Sequence, residues 1–104
     1  MIAAPSPPPT DDPALRQRRK RVLYRATHRG TYENDLMLGG FAHRHVDSMD
    51  HAALDAFEAL MEHPDVELAD WLIGRLPIPP HADNPLLRQI QSEAPELAQA
   101  KIGR

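Results

Sequence analysis

The sequence contains no cysteine, which removes disulfides, thiolate metal sites and a cysteine nucleophile from consideration together. Aromatic residues are few: one Trp, two Tyr and two Phe leave little for stacking on nucleic-acid bases. No apolar stretch approaches the roughly 18 residues that cross a bilayer, so no membrane insertion is expected. Sustained period-two alternation is missing, and with it any expectation of strands. There is no Ser-His-Asp order, P-loop or GxGxxG either. In a chain of 104 residues, too short to enclose a large active site with ease, these absences favour a binding module over an enzyme.

What is present begins with proline. Residues 1–10 hold four of the eleven prolines and no charge, a composition that cannot bury a face. They are expected to form a tail ahead of a single domain over 11–94, with a second tail over 95–104. The start "MIAAPSPPPTDDPA" has neither the basic nor the apolar region of a secretory signal, and the cytoplasm of a bacterium is the expected location.

The remaining pattern is helical. Asp12 and Pro13 form an N-cap and first-turn pair for a helix that ends before Gly30, with Leu15, Val22, Leu23 and Ala26 as its apolar stripe. A second helix from Thr31 carries Leu36, Met37, Gly40 and Phe41 on one face. The Gly39-Gly40 pair there implies either a closely packed neighbour or an irregular segment. A third, capped by Ser48, buries Ala53, Leu54, Phe57, Leu60 and Met61. In the fourth, Pro64 comes early, Asp65 and Glu67 complement the helix dipole, Leu68, Ala69 and Leu72 face inward, and Gly74 with Pro77 ends the run. Asn84-Pro85 opens a fifth through Leu86, Leu87 and Ile90, and the chain beyond Pro95 reads as helical or frayed. The fold class is therefore all-α, a small bundle of four to five helices.

Net charge is −3 but unevenly placed. Residues 1–29 hold seven Arg/Lys against two Asp, and the rest holds five against thirteen acids. The run "RQRRKR" suits a nucleic-acid contact, but the acidic remainder and scarce aromatics favour a solvated face or one turned to an acidic protein surface. Of the six histidines, His43 and His45 lie near Asp47, Asp50 and His51. Residues two apart on a helix point to different faces, so no metal site is expected. Trp71 and Leu72 read as core more readily than as a binding hot spot.

The stretch "RATHRGTYENDL" raises a different question. Gly30 is suited to a left-handed conformation that closes the first helix, Arg29 suits that helix's C-terminal dipole, and Glu33 suits the N-terminal dipole of the next. On a tight corner both charges are expected to project outward, towards a partner's charges. A turn alone does not require Arg at 29 or Glu at 33.

The segment "HRGTYENDLMLGGFA" resembles the signature of the SdhE/Sdh5 family of succinate dehydrogenase assembly factors, with Arg29, Gly30 and Glu33 as its RGxxE core and Asp35 behind it. The acid-rich helix, Trp71-Leu72 and the last short helix follow the family's order, so the resemblance covers about residues 14–92. His28 stands where other members often carry Arg, and the Pro-rich start is an addition. The resemblance implies a helical chaperone, not an enzyme, and a monomer. It would bind the flavoprotein subunit of succinate dehydrogenase, or of fumarate reductase, through His28, Arg29, Gly30, Glu33 and Asp35. The FAD would be attached covalently to a histidine of that partner, none being bound by the chaperone itself. The alternative from the residues alone is a small helical interaction module, antitoxin-like or associated with nucleic acid through its basic first helix.

Overall fold

The Asp12 carboxylate accepts a hydrogen bond of 3.0 Å from the Ala14 N–H and so starts the first of five helices. The structure is a computed structural model that describes residues 12–102, with side chains to residue 99. The tail expected over 1–10 lies outside the described residues. Helix α1 spans Pro13–Thr27, α2 Tyr32–His45, α3 His51–Leu60, α4 Asp65–Ile73 and α5 Pro85–Ile102, with a short 3-10 turn at Val46–Ser48. Among the described residues there is no strand, and the all-α bundle holds.

The apolar positions meet in one core, where Phe41, Phe57, Leu38, Leu54, Leu60, Leu68, Leu87 and Ile90 are fully buried. At about 1.5–3 kcal/mol for each such side chain removed from water, this cluster dominates the stability. Phe41 and Phe57 meet edge to face at 5.9 Å, joining α2 to α3. The chain's single Trp, Trp71 on α4, is buried, with the ring of His63 edge-on at 5.1 Å and His81 beyond.

Helix α2 is central, in contact with α1, α4 and α5. Its glycine pair is regular helix. Gly39 faces α1, where a Cβ would sit 3.1 Å from Thr27 Cγ2 and 3.3 Å from Thr27 Cα, and Gly40 faces Leu97 of α5. Both glycines therefore serve close packing against different neighbours. The buried face of α2 runs through Asn34, Met37, Leu38, Phe41 and Ala42, while Leu36 is only half-buried at the edge of a groove.

Two local expectations are corrected, and of the two readings open beyond Pro95 the helical one holds. The cap of α3 is Asp50, whose side chain accepts from the Ala53 N–H at 2.9 Å, whereas Ser48 Oγ donates back to the His45 carbonyl. The last helix continues through Pro95 to Ile102, so Leu97 joins the core. The basic run is not an open face. Arg18 donates to Asp55 at 2.8 Å and Glu58 at 2.9 Å, Arg21 lies 3.8 Å from Glu58, and Arg25 reaches Glu62 at 3.1 Å. Arg19 is buried, donating to the Met49 carbonyl from both Nε and Nη2. Asp55 and Glu58 of α3, with Glu62 just beyond it, thus neutralise much of α1, and the Asp55 hydrogen bond, followed by Glu58, holds the Arg18 guanidinium above its ordinary pKa.

Candidate functional site

Helix α1 ends at Thr27, whose hydroxyl donates back to the Leu23 carbonyl at 2.9 Å. The exposed ring of His28 stacks on Tyr24, with centroids 3.9 Å apart, and its Nδ1 lies 2.8 Å from the Tyr24 carbonyl. A carbonyl only accepts, so that contact places the proton on Nδ1. Gly30 then takes φ +100°, a left-handed value that turns the chain into α2. A Cβ built there meets nothing within 4 Å. The glycine is required by its backbone angle alone.

Arg29 is the larger correction, since its side chain is only 12% exposed and does not project outward. Its Nε donates to Asp65 Oδ1 at 2.9 Å, Nη1 to the Met61 carbonyl at 2.7 Å and Nη2 to the His63 carbonyl at 3.2 Å. One guanidinium therefore gathers the end of α3, the connection and the start of α4, a use of its planar fork that a lysine cannot reproduce. The Arg29 N–H donates to Asp35 Oδ1 at 2.7 Å, so Asp35 fixes the turn from inside α2.

Glu33, in the first turn of α2, is exposed, and its side chain makes no hydrogen bond or ion pair with any described residue. Its chain neighbour Tyr32 is 64% exposed, and Tyr24, on the last turn of α1 beside His28, is 63% exposed. An open groove of about 780 Å³ starts at Tyr32 and runs along α2 past Leu36 and His43 to Arg44 and Leu97. Of the five residues singled out, Arg29 and Asp35 hold the turn, Gly30 permits it, and Glu33 and His28 present groups at the surface.

Two residues that belong to this constellation were missed. Asn34 is fully buried, and its Nδ2 donates to the Asp65 carbonyl at 2.9 Å and to Asp65 Oδ1 at 3.1 Å. Its own Oδ1 has no partner among the described residues. The signal was an Asn spaced four and seven residues before Leu38 and Phe41, a polar side chain on the buried stripe. Asp65 read only as a dipole complement for α4. Among the described residues no three His, Asp or Glu side chains converge on a cation site, and no helix is long and apolar enough to cross a membrane. His45 instead faces Glu93 at 3.0 Å, and His51 accepts from Arg18 at 3.1 Å.

The family model described as "Flavinator of succinate dehydrogenase" matches residues 20–94. The chain is 44% identical over 80 residues to the FAD assembly factor SdhE of Acetobacter pasteurianus, covering 77% of this chain and 73% of that protein. It is 30% identical over 73 residues to the mitochondrial succinate dehydrogenase assembly factor 2 of Dictyostelium discoideum, covering 70% and 52%. With the protein of that name from Mycosarcoma maydis the identity is 37% over 79 residues, covering 75% and 33%. The chain thus spans most of the bacterial relative but about half, and a third, of these mitochondrial ones.

Proposed function

This chain belongs to the family of flavinators of succinate dehydrogenase, and on that premise we propose that it is a non-catalytic assembly factor for a flavoprotein subunit. It binds the flavoprotein subunit of succinate dehydrogenase, or that of fumarate reductase, and promotes covalent attachment of FAD to it. The flavin belongs to the partner, and the assembly factor holds none itself. It works as a monomer in the cytoplasm.

The observation that carries this reading is Glu33, an exposed carboxylate with no partner among the described residues, next to the left-handed turn at Gly30 and adjacent in the chain to the exposed Tyr32. An aromatic anchor beside an oriented charge suits a protein partner. A nucleic-acid role through α1 is not supported, because Arg18 and Arg21 face Glu58 of α3 and Arg25 faces Glu62 just beyond it.

The test is covalent FAD on the flavoprotein subunit, read by in-gel fluorescence in cells deprived of this protein. Wild type should restore the signal. Glu33→Ala should fail to restore it while keeping the wild-type melting temperature. Full flavinylation with a stably folded Glu33→Ala would remove this surface from the function, and undiminished flavinylation without the protein would remove the function itself.

A further inference from the structure

We infer that Arg29 is a positioning residue that acts on the partner through Asp65, with Asn34 as a third member, and that the group it positions for contact is Glu33. This inference rests on the proposed docking to a flavoprotein. It divides the Arg-Gly-x-x-Glu stretch into an inner and an outer half.

The inner half is closed within the chain. All three nitrogens of the Arg29 guanidinium are engaged, on the Met61 and His63 carbonyls and on Asp65 Oδ1. Asp65 Oδ1 also receives Asn34 Nδ2, so one carboxylate oxygen, on a residue 36 positions from Arg29, ties the α1–α2 corner to α4. Withdrawing Arg29 to meet a partner's carboxylate would strip two carbonyls and leave Asp65 with only Asn34. A new rim ion pair returns less than such a half-buried network loses. The main chain of Arg29 is also held, by Asp35. With both ends fixed, Gly30 keeps its left-handed turn and Glu33 leaves the surface in one direction.

The outer half is open. Glu33 shares the first turn of α2 with Asn34, so whatever holds Asn34 inward holds Glu33 outward. An interface gains from a group already oriented before contact, because less freedom is lost on binding.

The experiment is a double-mutant cycle on the dissociation constant for the purified flavoprotein subunit, with amide hydrogen exchange of the partner-free chain as a second readout. Arg29→Ala and Asp65→Ala should each weaken binding about tenfold, and the double variant should be no weaker than about the worse single one. Because both act through Glu33, Glu33→Gln combined with either should be no weaker than about the worse single variant, and losses that multiply there would overturn the inference too. Arg29→Lys, which keeps the charge but lacks the fork, should behave as Arg29→Ala does. In the free chain, exchange at the Arg29 and Gly30 amides should speed up in the Arg29 and Asp65 variants and stay as in wild type in Glu33→Gln. Wild-type binding by Arg29→Lys, or losses that multiply between Arg29→Ala and Asp65→Ala, would mean that Arg29 touches the partner and would overturn the inference. Unchanged exchange at the turn in the Arg29 and Asp65 variants would overturn it as well. Absence of any binding by the wild-type chain would instead overturn the proposed function, while the exchange arms would still read the internal tie.

Discussion

Leu97 of α5 lies against Gly40 of α2, so that a Cβ on the glycine would meet Leu97 Cδ2 at 3.1 Å. One residue earlier, a Cβ on Gly39 would meet main-chain atoms as well, Thr27 Cα at 3.3 Å and the Ala26 carbonyl oxygen at 3.4 Å. A leucine tip can rotate away and a helix backbone cannot. Gly40→Ala should therefore lie between neutral and about 1 kcal/mol stabilising, the helix propensity gained offsetting a small shift of Leu97. Gly39→Ala should destabilise by about 1–3 kcal/mol, as overpacking does. Urea denaturation of the two variants separates them, and equal effects would contradict the asymmetry.

At Gly30 only the backbone matters. Since its Cβ direction is open, Gly30→Ala and Gly30→Arg should lose similar stability, about 1–2 kcal/mol for a side chain in the left-handed region, and Gly30→Asn less. A much larger loss for Arg than for Ala, in thermal melts of the free protein, would show crowding that the structure does not contain.

The ion pairs between α1 and α3 predict a rank order. Glu58 is 25% exposed and faces two arginines, Arg18 and Arg21, whereas Asp55 is 71% exposed and faces Arg18 alone. Glu58→Ala should lower the melting temperature more than Asp55→Ala does. The gap should narrow as sodium chloride is raised from about 0.05 to 0.5 M, because half-exposed pairs are screened.

Glu93 predicts a pH dependence. Burial pushes its carboxyl up, but hydrogen bonds from His45, Gln89 and Arg44 outweigh that and hold it below the ordinary carboxylate range. A carboxylate with a lowered folded pKa stabilises the fold fully above the unfolded value of about 4.3 and ceases to do so as pH falls through the folded value. Glu93→Gln should thus be less stable than wild type at neutral pH, by about 0.2–1 kcal/mol for a partly exposed network, and the difference should shrink as pH falls below the unfolded value. Melting curves from pH 7 to 3 check both the sign and the window.

Much of this was legible in the sequence because it rests on local chemistry. Asp12-Pro13 and Asn84-Pro85 start helices as their caps require, and Asn84 Oδ1 accepts from the Leu87 N–H at 2.7 Å. Ser48 and Asp50 are both good caps two residues apart, and the 3-10 turn at Val46–Ser48, which occupies Ser48, decided between them. Pro95 permits a helix to continue when its far side has apolar surface to bury, and Leu97 supplies that. The site was legible as a position but not as a geometry. The five residues stand at the turn, but the direction of Arg29 depends on the Met61 and His63 carbonyls and on Asp65, more than thirty positions away, which no local rule connects to it.

The single tryptophan gives this corner an optical reporter. Trp71 is buried against the ring of His63, and the carbonyl of that histidine is one of the acceptors of Arg29. Loosening the arginine frees the connection on which His63 rides and admits water to the indole, so the emission of the unlabelled chain should move to longer wavelength. Events at the start of α2 are thereby written into the spectrum of a residue on α4.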